Sequence, residues 1–216
     1  MKFSEFIWDF DGTLFNTYPV MVRAFQETLR RFGIIEGQRI IVDRMKQTVN
    51  NTIRFYQSQY HLGEEFINKY LAIRQSYSFK EQPPFSGANH TCQKIVAQGG
   101  RNFIISHRDE ASLIALLEYY KMRQYFTEIV TSEFGFERKP NPEAFHYLLT
   151  KHQIPKEKAL AIGDRLIDII AARTSGIATV YFCPDDDSQF EFADYRIRSL
   201  EEILNLSVSM ADHRSK

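Results

Sequence analysis

Cysteine is scarce in this chain: only Cys92 and Cys183 occur, far apart and outside any metal-ligand spacing. That scarcity argues against a disulfide framework and a cysteine-based zinc cluster, and leaves both residues as small buried hydrophobes. An excess of charge of either sign is missing too, because 27 Lys and Arg balance 27 Asp and Glu. No global field therefore draws the protein to nucleic acid or to an anionic membrane, although a local cationic site stays permitted. No apolar window approaches the length of a membrane span, and the amino terminus reaches Asp9 before any long apolar stretch. Neither a transmembrane helix nor a signal peptide is expected, and the expected location is cytoplasmic. Internal repeats and low-complexity segments are also lacking.

What is present is an ordinary globular composition, 44% hydrophobic and 25% charged over 216 residues. That length supports one domain, or a core with one insertion. The apolar run Phe6-Ile7-Trp8 leads to Asp9, Phe10, Asp11 and Gly12, which reads as a buried strand ending in a tight turn. Helical periodicity then runs from Tyr18 to about Tyr77 without a convincing strand, and Pro83-Pro84 closes the block. Its aromatics Phe25, Phe55, Tyr56 and Tyr70 recur at helical spacing and read as the packing core of that block.

From Gly87 onward, helices and short apolar strands alternate. Strands are expected at Asn102 to Ser106, around Ile129-Val130, at Ala159 to Ile162 and at Ile177 to Phe182. Helices are expected at Gly87 to Gln98, after Asp109, at Pro142 to Lys151, at Leu166 to Thr174 and at Leu200 to Leu204. Asp185-Asp186-Asp187 reads as a solvated loop, and Ser207 to Lys216 as a frayed tail. Such alternation implies right-handed crossovers and a doubly wound parallel sheet of the α/β class. The expected division is an α/β core of residues 1–16 and 81–216 with an inserted helical domain at 17–80.

Four polar blocks fall where strands give way to loops, which is where open α/β sheets place their ligands. Each has an innocuous reading alone: Asp9-x-Asp11-Gly12 as a surface turn, Ser106 as a helix cap, Lys139 as a solvated loop residue, and Gly163-Asp164 as a turn with a capping acid. Their joint occurrence is what the innocuous readings do not explain.

The pattern Asp9-x-Asp11-Gly12-Thr13-Leu14-x-x-Thr17 resembles the first motif of the haloacid dehalogenase-like hydrolases, and specifically of their phosphoglycolate phosphatase-like branch. Ser106 stands where that family carries its second motif. Lys139-Pro140-x-Pro142-x-x-Phe145 is similar to the third motif, and the prolines single out Lys139 over its neighbour Arg138. Gly163-Asp164-x-x-x-Asp168 is similar to the fourth.

The resemblance implies a Mg²⁺-dependent phosphatase for a small phosphorylated metabolite, with a helical cap at the insertion. By it, Asp9 is the nucleophile that becomes an aspartyl-phosphate, and Asp11 is the general acid and base. Gly12, Ser106, His107 and Lys139 hold the phosphate; Asp9, Asp11 and Asp164 hold the metal; Asp168 orients Lys139 or water on the cation. A phosphomutase and a catalytically silent binding protein on the same fold are the alternatives. Two positions depart from the family: His107 where many relatives have asparagine, and Asn16 where an acid is common. If His107 touches phosphate it is expected to add pH dependence in the neutral range. A monomer or homodimer with no nucleic-acid or membrane partner is expected.

Overall fold

In the computed structural model, which describes residues 2–184 and 192–207, the strand β1 (Glu5–Trp8) is buried along its whole length. It lies between β2 (Arg101–Ile105) and β4 (Ala159–Gly163), parallel to both. β3 (Phe126–Val130) extends the sheet beyond β2, and β5 (Ala178–Phe182) and β6 (Tyr195–Ile197) extend it beyond β4. The order is β3-β2-β1-β4-β5-β6, with every pair parallel. The chain winds outward from β1 through β2 to β3 and then crosses to the other side at β4. The switch point lies between β1 and β4, and Asp9 and Asp164 directly follow those two strands.

Successive strand residues face opposite sides of the sheet, and each side has its own core. Phe6, Trp8, Ile104, Leu160 and Ile162 belong to one; Ile7, Phe103, Ile105 and Ala161 belong to the other. The near-continuous apolar strands follow from this two-sided burial. The one polar residue deep in β2, Asn102, is fully used: it accepts from the Trp8 indole at 2.9 Å and donates to the carbonyls of Cys92 at 3.1 Å and Tyr125 at 3.2 Å. Cys92 and Cys183 are both buried and free.

The helices of this unit are α5 (Ala88–Ala97), α6 (Glu110–Tyr119), α7 (Glu143–Lys151), α8 (Leu166–Thr174) and α9 (Glu202–Ser207). Asp109 caps α6 as expected, its Oδ1 accepting from the Ser112 N–H at 2.9 Å. Several expected bounds shift by a residue or two. β2 ends at Ile105, so Ser106 stands free of the strand, and the last helix begins at Glu202 rather than Leu200. β6 was not anticipated: three residues are too short for a periodic signal, and pairing with β5 decides them. The expected loop Asp185-Asp186-Asp187 lies outside the described residues, as does the expected tail Ser207 to Lys216 apart from Ser207 itself, which ends α9.

The chain divides into two compact units, Met1–Phe15 with Pro84–Lys216, and Asn16–Pro83. The second unit holds α1 (Tyr18–Arg31), α2 (Gln38–Gln47), α3 (Val49–Tyr60) and α4 (Glu64–Ser76). Pro19 lies in the first turn of α1, where its missing N–H costs nothing, and the Thr48 side chain caps α3. Phe25 is the centre of the unit's core, with ring centroids 5.3 Å from Tyr56, 5.4 Å from Phe66 and 5.3 Å from Tyr70, all edge-on. Phe55 differs from the other aromatics: it is partly exposed, and the Arg44 guanidinium lies over its ring. Among the described residues no helix is long and apolar enough to cross a membrane.

Candidate active site

Lys139 is the point at which the separate motifs meet. Its Nζ lies 2.6 Å from Asp9 Oδ1 and 2.5 Å from Asp168 Oδ1, and it donates to the Ile105 carbonyl at 3.0 Å. The backbone N–H of Lys139 donates to His107 Nε2 at 2.8 Å. One residue thus joins the ends of β1 and β2, the loop after β3 and the first turn of α8. The ammonium is almost wholly buried, and three oxygen acceptors match its three donors.

Asp9 follows β1, and its own N–H donates to Ile162 O in the neighbouring strand at 2.8 Å. Its second oxygen, Oδ2, lies 3.2 Å from Arg165 Nη2. Burial raises the pKa of Asp9 and the charge of Asp168 adds to the rise, with Lys139 and Arg165 acting in the opposite direction. Burial likewise pushes Asp164 up to about 7, with Arg165 opposing and the charges of Asp9 and Asp168 adding. Burial would raise Asp168 as well, but Arg165 and Lys139 outweigh it and hold this carboxyl below the usual range.

Gly163 makes the approach of Asp168 possible: a Cβ on it would stand 2.4 Å from Asp168 Cβ. Thr13 Oγ1 donates to Asp164 Oδ1 at 3.1 Å, tying the first motif to the fourth. Gly12 adopts φ +89°, which gives the turn after Asp11 its left-handed step. Its N–H donates to Phe15 O at 2.8 Å.

Oxygens of Asp9, Asp164 and Asp168 lie within 4.8 Å of one another, all on side chains with little exposure. Hard carboxylate oxygens gathered in this way suit Mg²⁺, which takes oxygen ligands and is commonly held by one or two carboxylates. The Asp11 side chain is not in this group. Its Oδ1 lies 2.7 Å from Arg108 Nη1, and Arg108 Nε in turn donates to Ser112 Oγ at 2.8 Å. Ser106 is buried, and its Oγ accepts from the Arg108 N–H at 3.1 Å. Ser106, His107, Arg138 and Lys139 line one cavity, with Arg138 exposed beside the buried Lys139.

His107 differs from the sequence expectation. Its ring is turned to the Lys139 backbone as an acceptor, and burial, with the charges of Lys139 and Arg138, lowers its pKa to about 2. It is neutral throughout the physiological range and does not titrate there.

Two site residues escaped the sequence reading, Arg108 and Arg165. Both sit inside recognised motifs at positions those motifs leave open. The available signal for Arg165 was its acids at one residue before and three after, a spacing that brings Arg165 Nε to 3.3 Å from Asp168 Oδ2. Arg108 offered no comparable signal, because its partner Asp11 lies 97 residues away.

A family model described as haloacid dehalogenase-like hydrolase matches residues 6–182. The chain belongs to this family. Among relatives of this hydrolase, a protein named pyrophosphatase PpaX from Halalkalibacterium halodurans is 22% identical over 211 residues, covering 95% of this chain and 97% of the relative. A protein named phosphoglycolate phosphatase from Aliivibrio fischeri is 24% identical over 183 residues, covering 78% and 79%. A solved structure of a hydrolase from Streptococcus pneumoniae TIGR4 is 37% identical, covering 83% of this hydrolase and 92% of that chain with a TM-score of 0.60. The first, third and fourth motif blocks and Ser106 all fall within the matched span.

Proposed function

We propose that this hydrolase is a Mg²⁺-dependent phosphatase that cleaves a small phosphate monoester, phosphoglycolate-like in size and charge, through an aspartyl-phosphate on Asp9. The observation that carries the reading is the setting of Asp9: a buried carboxylate at the end of the central strand, with Lys139 on one oxygen and further carboxylates of the cluster beside it. A nucleophile that meets a dianion needs positive charge held in place before the dianion arrives. Lys139 supplies it from a position braced by Asp168, Ile105 and His107.

In the first step an Asp9 oxygen forms a bond to phosphorus while the bond from phosphorus to the leaving oxygen breaks, and Asp11 gives that oxygen its proton. In the second, Asp11 takes a proton from water as the water oxygen attacks phosphorus, and the bond between phosphorus and Asp9 breaks to release inorganic phosphate. Ser106 Oγ holds a non-bridging oxygen of the phosphoryl group, and the Lys139 ammonium offsets the phosphoryl charge from its place beside Asp9. Arg108 fixes the direction of Asp11 through their 2.7 Å contact. Asp9 and Asp164 would hold Mg²⁺, which when bound neutralises phosphoryl charge and acts as a Lewis acid. Asp168 keeps Lys139 in place.

The substrate class follows from the chemistry of the site together with the names of the relatives, one a pyrophosphatase and one a phosphoglycolate phosphatase. The test is a phosphate-release screen over small monoesters, with pyrophosphate included, on wild type and Asp9→Asn in parallel with and without MgCl₂. Mg²⁺-dependent release by wild type alone is expected. Equal release by both proteins would remove Asp9 as nucleophile, and a rephosphorylated sugar in place of free phosphate would indicate a mutase.

A further inference from the structure

Both oxygens of Asp9 are already engaged by cations of the chain itself, Oδ1 by Lys139 and Oδ2 by Arg165. Arg165 reaches all three carboxylates of the oxygen cluster: Asp9 at 3.2 Å, Asp168 at 3.3 and 3.4 Å, and Asp164 at 4.0 Å. Its side chain is 8% exposed, so the guanidinium lies inside the cluster and is not a surface counter-ion. A divalent ion that takes an Asp9 oxygen cannot share it with an undisturbed chain cation on the same side. Like charge adds to the conflict in a site this buried.

The two chain cations are not held alike. The contacts of Lys139 to carboxylates are 2.5 and 2.6 Å, whereas those of Arg165 run from 3.2 Å upward, long for charge-assisted hydrogen bonds. The Lys139 backbone is also fixed by His107. Arg165 stands at the amino-terminal boundary of α8 with extended backbone, just after the end of β4. Of the two, Arg165 holds the carboxylates at the longer distances.

We infer that Arg165 is a tethered competitor for the divalent cation: it occupies the carboxylate cluster until Mg²⁺ displaces it from Asp9 Oδ2, and so sets the concentration at which the site loads. Its other effect is to compensate buried acids, which would otherwise draw protons. This inference rests on the cation site of the proposed function, but it concerns loading of that site and not turnover.

The test is calorimetric titration of the full chain with MgCl₂ in the absence of substrate, for wild type and Arg165→Gln, with thermal melts to check that both are folded. The variant is expected to bind Mg²⁺ roughly tenfold more tightly, within the range of typical coupling between two ligands of one site. An unchanged or weaker affinity in the folded variant would overturn the inference, because a residue that merely shapes the cluster loosens the site when removed. A second measurement needs only the wild type: the Arg165 Nε–H resonance, assigned by its loss in Arg165→Lys, should move on adding MgCl₂ with the calorimetric midpoint. A resonance that stays fixed while Mg²⁺ binds overturns the inference and leaves the phosphatase reading intact. Failure of wild type to bind Mg²⁺ overturns the inference together with the cation site. A moving resonance in a protein that releases no phosphate supports the inference and sinks the phosphatase reading alone.

Discussion

Lys139 and Asp9, 130 residues apart in sequence, form a 2.6 Å ion pair with only 2% of either side chain exposed. Breaking a buried pair leaves an uncompensated charge, which is far costlier than losing a surface contact. Lys139→Met should therefore lower stability by about 3–5 kcal/mol, read from the urea midpoint. It should also slow turnover by about 10²–10³-fold as stabilisation of the phosphoryl group is lost. Asp9→Asn should abolish turnover yet destabilise less, since Asp168 still holds Lys139. A Lys139→Met protein with wild-type stability would contradict the buried pair.

Arg108 should matter to the rate although it lies outside the oxygen cluster. Its removal frees Asp11 from the 2.7 Å contact that directs it. Arg108→Leu is expected to lower kcat by roughly 10–10²-fold, a part of the 10²–10⁴ that a positioned acid or base contributes. Steady-state kinetics on the best substrate checks this, and an unaltered kcat would show that Asp11 is aimed by something else.

The pH behaviour of His107 follows from its pKa, lowered from 6.5 to about 2. Below pH 6.5 the unfolded chain binds a proton here that the folded chain refuses. This stabilising contribution is thus complete above 6.5 and lost as pH falls toward 2. His107→Asn does not titrate, so between pH 7 and 5 it should lose about 1–2 kcal/mol less stability than wild type. Parallel stability curves for the two proteins would count against a buried neutral imidazole.

Asp164 carries the opposite sign. With its folded pKa raised to about 7, it retains a proton that the unfolded carboxyl has given up, and the associated stability fades as pH rises from the ordinary carboxyl range through 7. Cation binding needs the ionised form, so Mg²⁺ affinity should fall as pH is lowered through 7, approaching about tenfold per pH unit. Calorimetry at pH 6 and 8, in buffers of different ionisation enthalpy, should detect the released proton. Equal affinities at the two pH values would rule out this coupling.

Gly163→Ala tests close packing. The added methyl would stand 2.4 Å from Asp168 Cβ, so the first turn of α8 must shift. Overpacking of this kind costs about 1–3 kcal/mol. Loss of activity should exceed what that destabilisation explains, because Asp168 braces Lys139. A fully active variant would mean that the position of Asp168 is not critical.

The class of fold and the points where chemistry emerges are legible in the amino-acid order. Apolar runs such as Phe6-Ile7-Trp8 and Leu160-Ala161-Ile162 are legible because strands buried on both faces need unbroken hydrophobic segments. Asp9, Ser106, Lys139 and Asp164 stand out as polar residues just beyond such runs or in the loops that follow them. Which groups meet emerges only on packing: Arg108 with Asp11, Arg165 with Asp9, the ring of His107 with a backbone amide, and β6 with the sheet edge. The difference is one of range. Periodicity and turn chemistry act between near neighbours in the chain, whereas ion pairing and burial depend on distances that exist only after segments 97 or 156 residues apart have packed together.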